Sequence, residues 1–147
     1  MFSNLFQRVL FGETKGLQVE SLEVEADQIE VVAVRILSEA QCPVCGQRNS
    51  RVQSHSVRCV TDGGWRGMSV RIKREVRRFY CDWKPCERRI FTERLPGVVR
   101  AHGRRTERQD SLLKVIVEAE GGERGARTAA RCGRRPDSEW GSVQIRC

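Results

Sequence analysis

What this 147-residue chain lacks narrows it first. It contains no run of about 18 apolar residues, so no segment is expected to cross a membrane as a helix. The opening Met1-Phe2-Ser3-Asn4-Leu5-Phe6 has no positively charged start followed by a long apolar stretch, so a secretory signal is not expected either. There is no internal repeat and no low-complexity tract, which excludes solenoids and fibrous folds. Hydrophobic residues make up 39% of the chain and charged residues 31%. That apolar supply is modest, so small modules held by extra cross-links are expected before a single large core. The chain is expected in the cytoplasm, where thiols stay reduced, and its seven cysteines then point to metal binding before disulfides.

The charge is plentiful but uneven. The formal net charge is +8. Up to Ala40, three basic residues (Arg8, Lys15, Arg35) face seven acidic ones, a net of −4. From Arg66 to Arg108, fourteen basic residues face five acidic ones, a net of +9. A block this basic repels itself unless something anionic lies against it. Nucleic acid is the expected partner, ahead of an anionic membrane surface or an acidic protein. Within the block only Lys73 and Lys84 are lysine. Arginine's planar fork suits phosphates and guanine edges better than a lysine point charge does.

Periodicity predicts a mixed α+β chain. Asn4 to Phe11 is expected as a short amphipathic helix with Leu5, Phe6, Val9 and Leu10 on one side. Leu17 to Val24 and Ile29 to Ile36 are valine- and isoleucine-rich strands, with a turn at Ala26-Asp27-Gln28. The alternation slips between Val19 and Leu22, which predicts a bulge. Arg51 to Val60 is a further strand candidate, and Asp62-Gly63-Gly64 is expected as a turn. Met68 to Tyr80 is the clearest strand: Met68, Val70, Ile72 and Val76 fall on one face, with Ser69, Arg71, Lys73, Glu75 and Arg77 on the other. Val98 to Arg105 is expected as a linker. Thr106 starts a helix in a capping box with Gln109, with Leu112, Leu113, Ile116 and Ala119 as its buried stripe. Gly121-Gly122 ends it, and Glu123 to Cys132 is a second short helix stopped by Gly133.

The strongest chemical signal is Cys42-x2-Cys45, then 35 residues, then Cys81-x4-Cys86. Zinc prefers four tetrahedral ligands, and thiolates suit it. Each close pair can span one edge of the tetrahedron, with Pro43 and Gly46 shaping the first turn. Cys42, Cys45, Cys81 and Cys86 are therefore the expected ligands of a structural Zn²⁺. Four thiolates leave no open position for substrate, so Lewis-acid catalysis is not expected. Unrelated thiols or disulfides, or a redox role for Cys42-x2-Cys45, are weaker alternatives. His55 and His102 are read as ordinary packed or solvated histidines, and Cys59, Cys132 and Cys147 as bystanders.

Arg71, Lys73 and Arg77 line the polar face of the clear strand, while Arg74 and Arg78 fall on the face expected to be apolar. Arg88, Arg89 and Arg94 follow the second thiol turn, and Arg104, Arg105 and Arg108 lead into the helix. Arg71, Lys73, Arg77, Arg88, Arg89, Arg94, Arg104, Arg105 and Arg108 are the expected phosphate contacts. The nearby Trp65, Phe79, Tyr80, Trp83 and Phe91 are read mostly as fillers of a small core. The plainer alternative is a solvated basic surface.

These residues carry a family resemblance. Cys42-Pro43-Val44-Cys45-Gly46, Val76-Arg77-Arg78-Phe79-Tyr80-Cys81, and Cys86-Glu87-Arg88-Arg89-Ile90-Phe91-Thr92-Glu93-Arg94-Leu95-Pro96-Gly97 resemble the N-terminal region of the "ISL-three" family of insertion-sequence transposases. The likeness runs on through Ala101, Arg104, Arg105 and Thr106 to Gly121-Gly122-Glu123-Arg124-Gly125-Ala126-Arg127. The resemblance implies a zinc-binding domain followed by a helix-turn-helix that binds the terminal inverted repeats of a bacterial element. It also implies a nucleoid-associated location and, in full-length relatives, a metal-dependent DDE catalytic domain. Gly63-Gly64-Trp65 departs from the family's usual leucine-proline turn, and Glu139 to Cys147 is foreign to it.

The organisation this implies is an N-terminal helix and β-hairpin leader (1–40), a four-cysteine zinc-binding domain (41–97), a helix-turn-helix-like helical pair (98–133) and a divergent or frameshifted tail (134–147). The fold class is α+β: a small β-rich zinc ribbon, then a short, incomplete helix-turn-helix. The expected function is double-stranded DNA binding in transposition, without enzymatic activity, since the DDE carboxylates are not in this chain. The full-length transposase or a second copy is the expected protein partner. A zinc-ribbon protein-interaction module and a zinc-ribbon RNA binder are the alternatives, the latter expected to prefer folded or single-stranded RNA.

Overall fold

The computed structural model describes residues 2–12 and 16–132, so the divergent tail at 134–147 lies outside the described residues. The chain is α+β and strand-rich. Its elements are α1 (Phe2–Phe11), β1 (Leu17–Val24), β2 (Gln28–Arg35), β3 (Ala40–Gln41), β4 (Arg48–Asn49), β5 (Val52–Trp65), β6 (Met68–Tyr80), β7 (Ile90–Thr92), α2 (Glu107–Glu120) and α3 (Gly122–Cys132).

Four strands lie side by side in the order β1-β2-β6-β5, and β7 joins β6 where β2 has ended; β3 and β4 pair separately. The β1–β2 hairpin is antiparallel, with the expected irregularity between Val19 and Ser21. β2 runs parallel to β6, pairing Gln28 with Ser69 through Ala33 with Arg74. Strands from either side of the 40/41 boundary therefore share one sheet.

β6 spans the expected residues, but β5 runs longer than expected. Asp62-Gly63-Gly64 is no turn: the strand continues through it to Trp65, with a register shift between Asp62 and Trp65. Two glycines inside a strand are a common signature of such a bulge. The turn falls instead at Arg66 (φ 51) and Gly67 (φ 82), between the paired Trp65 and Met68. Two successive residues at positive φ make the mirror-image turn that matches the twist of a two-residue hairpin.

Two apolar clusters result. The larger joins Phe11, Leu17, Val19, Ile29, Val31, Ala33, Val60, Val70 and Ile72 with Leu95, Val98 and Val99. Residues 98–105 are thus no linker. Val98 and Val99 are buried, Val99 bridges Leu95 and Thr106, and Thr61 N–H donates to the Arg104 carbonyl at 2.9 Å. The smaller cluster is Ala40, Cys42, Phe79, Cys81, Cys86 and Phe91. In α1 it is Phe11 that is buried, while Leu5 and Val9 are exposed.

Thr106 caps α2 as expected, accepting from Gln109 N–H at 3.2 Å. The reciprocal arm of the box is absent, because the Gln109 side chain accepts from the Thr61 hydroxyl at 2.9 Å. Asp62, whose side chain is fully buried, accepts from the Thr106 hydroxyl at 2.5 Å and pairs with Arg108, which also donates to the Val9 carbonyl. This network fixes α2 to β5 and α1. The expected stripe on α2 is not buried: Leu112 and Ala119 are exposed, and Leu113 and Ile116 are half-buried. Gly121 (φ 65) separates the helices, and α3 approaches closely at Gly125, where a Cβ would lie 2.9 Å from Val117 Cα.

Where β2 gives way to β7 along β6, Glu93 fills the junction. Its backbone N–H donates to the Arg77 carbonyl at 3.0 Å, and its carboxylate accepts from Arg77 N–H and from the Arg77 guanidinium, both at 2.9 Å. The Glu93 side chain is 1% exposed and that of Arg77 13%. Removing one partner of so buried a pair leaves an uncompensated charge. Glu93→Ala is expected to lower stability by about 3–5 kcal/mol in urea denaturation. Asp62→Ala, which frees the half-exposed Arg108, is expected to cost less, about 1.5–3 kcal/mol. Equal effects would contradict this ranking.

Candidate metal centre and basic surface

The β5–β6 hairpin explains how distant cysteines meet. Its open end pairs Val52 with Phe79, so the loop before β5 and the loop after β6 must lie side by side. The 35 residues between the thiol pairs hold the two strands and their turn, and antiparallel pairing returns the chain to its start.

Each loop has its own frame. In the first, closed by β3 and β4, Cys42 N–H donates to the Gln47 carbonyl and Gly46 N–H to the Cys42 carbonyl, both at 2.9 Å. Gly46 has φ 75, a conformation that glycine enters at little cost. In the second, Cys81 N–H donates to the Arg89 carbonyl at 2.9 Å and Cys86 N–H to the Trp83 carbonyl at 3.0 Å. Phe79 and Phe91 stack beneath the cluster at 5.8 Å between ring centroids.

Cys42, Cys45, Cys81 and Cys86 bring their sulfurs within 4.8 Å of one another. Across the loops, Cys42 Sγ lies 3.9 Å from Cys86 Sγ, and Cys45 Sγ lies 3.5 Å from Cys81 Sγ. A tetrahedral ion with metal–sulfur bonds of about 2.3 Å would hold its sulfurs ~3.8 Å apart. Three of the four residues are buried and Cys45 is half-buried. Burial raises the Cys42 thiol, but the Cys45 and Val44 amides outweigh it and leave Cys42 at about 7. Burial pushes Cys81 up to about 12 against the help of the Trp83 amide, and also raises Cys86. Four thiols this close resist ionising together unless a cation lies among them. The four residues therefore fit a bound metal ion.

Sequence reasoning missed one residue of this site. Asn49, buried on β4, donates from Nδ2 to the Gln47 carbonyl at 2.9 Å and accepts at Oδ1 from Asp82 N–H at 3.0 Å. It thus ties one thiol loop to the other. Arg51 adds an ion pair to Asp82 and stacks 4.3 Å over the Tyr80 ring. An asparagine just before a strand carries no distinctive sequence signal. His55 pairs with Glu75 at 2.7 Å and is not in the thiol cluster.

No family model, curated protein or solved structure matches the chain.

The arginine-rich stretch divides in two. Lys73 pairs with Glu30 at 2.7 Å, Arg77 is committed to Glu93 and the Leu37 carbonyl, and Arg108 to Asp62. Those three side chains are engaged with acids of the fold, Arg77 in the most buried pair. Arg88 and Arg89 are exposed in the second thiol loop, and Arg104 and Arg105 on the loop bonded to β5; Arg71 and Arg94 are half-buried. Arg78 is exposed, whereas Arg74 has two guanidinium nitrogens buried.

One bound metal ion per chain is expected by elemental analysis. Protons compete for thiolates, so the ion should be released as pH falls and retained as it rises. Asn49→Ala should weaken metal affinity by about 10-fold or more in a chelator competition, as loss of an orienting partner does. Unchanged affinity would show that Asn49 does not set the loop spacing.

Proposed function

We propose that this chain is a zinc-stabilised DNA-binding module of an insertion-sequence transposase of the ISL-three type, binding the terminal inverted repeats of its element. The observation that carries the reading is the closure of four thiols on one point directly beside exposed Arg88 and Arg89. Soft thiolate ligands in a set of four, three of them buried, favour zinc. With four protein ligands on it, the ion is structural: it orders the two loops as a zinc ribbon and leaves no position for substrate. In this reading α2 and α3 are the supporting pair of an incomplete helix-turn-helix. The exposed arginines position the module on backbone phosphates, the reading needs no enzymatic activity in this chain, and its setting is the bacterial cytoplasm and nucleoid.

A second reading, a protein-interaction module, is favoured by one specific observation. Leu112 and Val115, three residues apart on one face of α2, are both exposed, and Leu112 borders an apolar cavity of about 310 Å³ lined also by Val9, Trp65 and Val70. Such a face suits a second copy or the remainder of a transposase. It is compatible with DNA binding and would replace it only if duplex binding fails.

The test is salt-dependent binding of inverted-repeat duplex. Each phosphate contact contributes about −0.9 to the slope of log affinity against log salt, so the triple variant Arg88→Ala, Arg89→Ala, Arg94→Ala should flatten that slope by ~2–3. Salt-insensitive capture of a protein, with no retention of duplex, would favour the second reading.

A further inference from the structure

A cleft of about 800 Å³ opens between the first thiol loop and the segment after β7. Arg35 from the end of β2, Arg48 from β4 and Arg94 from beyond β7 all line it, and Glu39 is the one acidic residue of its lining among the described residues. Three arginines from three separate segments line one concavity.

The charge beneath the cleft is also out of balance. Arg35, Arg74 and Arg77 gather around a single buried carboxylate, Glu93. Arg77 takes both oxygens of that carboxylate in hydrogen bonds. Arg35 Nε lies 3.7 Å from Glu93, too far for a hydrogen bond, and is buried with no other acceptor among the described residues. Arg74 Nε and Nη1 are likewise buried without an acceptor among the described residues. Burial depresses both Arg35 and Arg74 below the usual arginine value, opposing the charge they carry. Buried charged donors are normally paired, so Arg35 Nε, on a residue that lines the cleft, marks a place where an anion is missing, and Arg74 adds uncompensated charge beneath it.

The neighbouring metal cluster must be counted too, because Cys42 borders the cleft. Arg35, Arg48, Arg58, Arg74, Arg77 and Arg94 outnumber Glu39 and Glu93, and a divalent ion on four thiolates would offset only two of those charges, so the surroundings of the cleft stay positive and suit an anion.

We infer that this cleft seats a backbone phosphate of nucleic acid, with Arg35 as the deepest donor and Arg48 and Arg94 as the fork at its mouth. The inference rests on the DNA-binding reading and adds to it Arg35 and Arg48, which lie outside the arginine-rich stretch. Arg74 and Arg77 do not touch the phosphate; they hold positive charge beneath it. Arginine forks match phosphate oxygens in pairs, so the cleft fixes the register of the strand as well as attracting it.

The experiment uses the full zinc-loaded chain with two probes, a short duplex oligonucleotide and inorganic phosphate alone. The R48A/R94A pair is expected to lower duplex affinity by about 10-fold and the salt slope by ~2, with no change in melting temperature. If that pair folds poorly, R48Q/R94Q serves the same readout. Duplex binding by the parent chain that is unaffected by either pair overturns the cleft and leaves the DNA reading intact. No duplex binding, but a saturable phosphate-induced shift of the Arg35 Nε–H resonance that R48A/R94A abolishes, overturns the nucleic-acid source and the DNA reading together. That result would leave the cleft as a site for a small phosphate compound. Neither response overturns both readings.

Discussion

The structure depends on one antiparallel hairpin closing at its open end. β5 and β6 are long, and their pairing delivers two thiol loops to the same place before any metal is bound. The entropy of bringing together cysteines with 35 residues between them is therefore met largely by strand pairing, and a bound ion would have only to fix two loops already close. Asn49, the Arg51–Asp82 pair and the Phe79–Phe91 stack act at this same end. The small cysteine-centred cluster is too meagre to hold these loops by apolar burial alone, which is the physical case for a metal there.

The hairpin also decides where charge is useful. Along β6, Lys73 and Arg77 are drawn into pairs with acids that the fold places opposite them, and on α2 Arg108 is drawn to Asp62. Cations of the loops, Arg88, Arg89, Arg104 and Arg105, stay at the surface. A run of basic residues in sequence is therefore not a basic face in space. Some of its members balance buried carboxylates, while Arg35 and Arg48, far from the run, stand with Arg94 around one cleft.

Much of this was legible in the residues. β6 has its expected span because its alternation is long and clean, and the β1 bulge follows from one slip in pattern. The four thiols were legible from spacing alone. The turn at Arg66-Gly67 was not, because the neighbouring Asp-Gly-Gly is a stronger turn signal than Arg-Gly, and only strand pairing reveals the bulge. The parallel pairing of β2 with β6 was hidden because alternation specifies a strand's faces and not its neighbour. Residues 98–105 looked like a linker for their arginines and glycine, yet Val98 and Val99 anchor them in the larger core. Asn49 and Glu93 were hidden because an isolated polar residue gains its role only from the backbone groups that the fold brings to it.

The central claim is that the metal holds one end of the hairpin while apolar packing holds the other. Residue-resolved amide hydrogen exchange on the metal-loaded and the fully chelated reduced protein tests it most directly. Loss of protection confined to Cys42, Cys81 and Phe91, with Val31 and Ile72 still protected, is the expected pattern. Identical protection at all five positions with and without metal would contradict it.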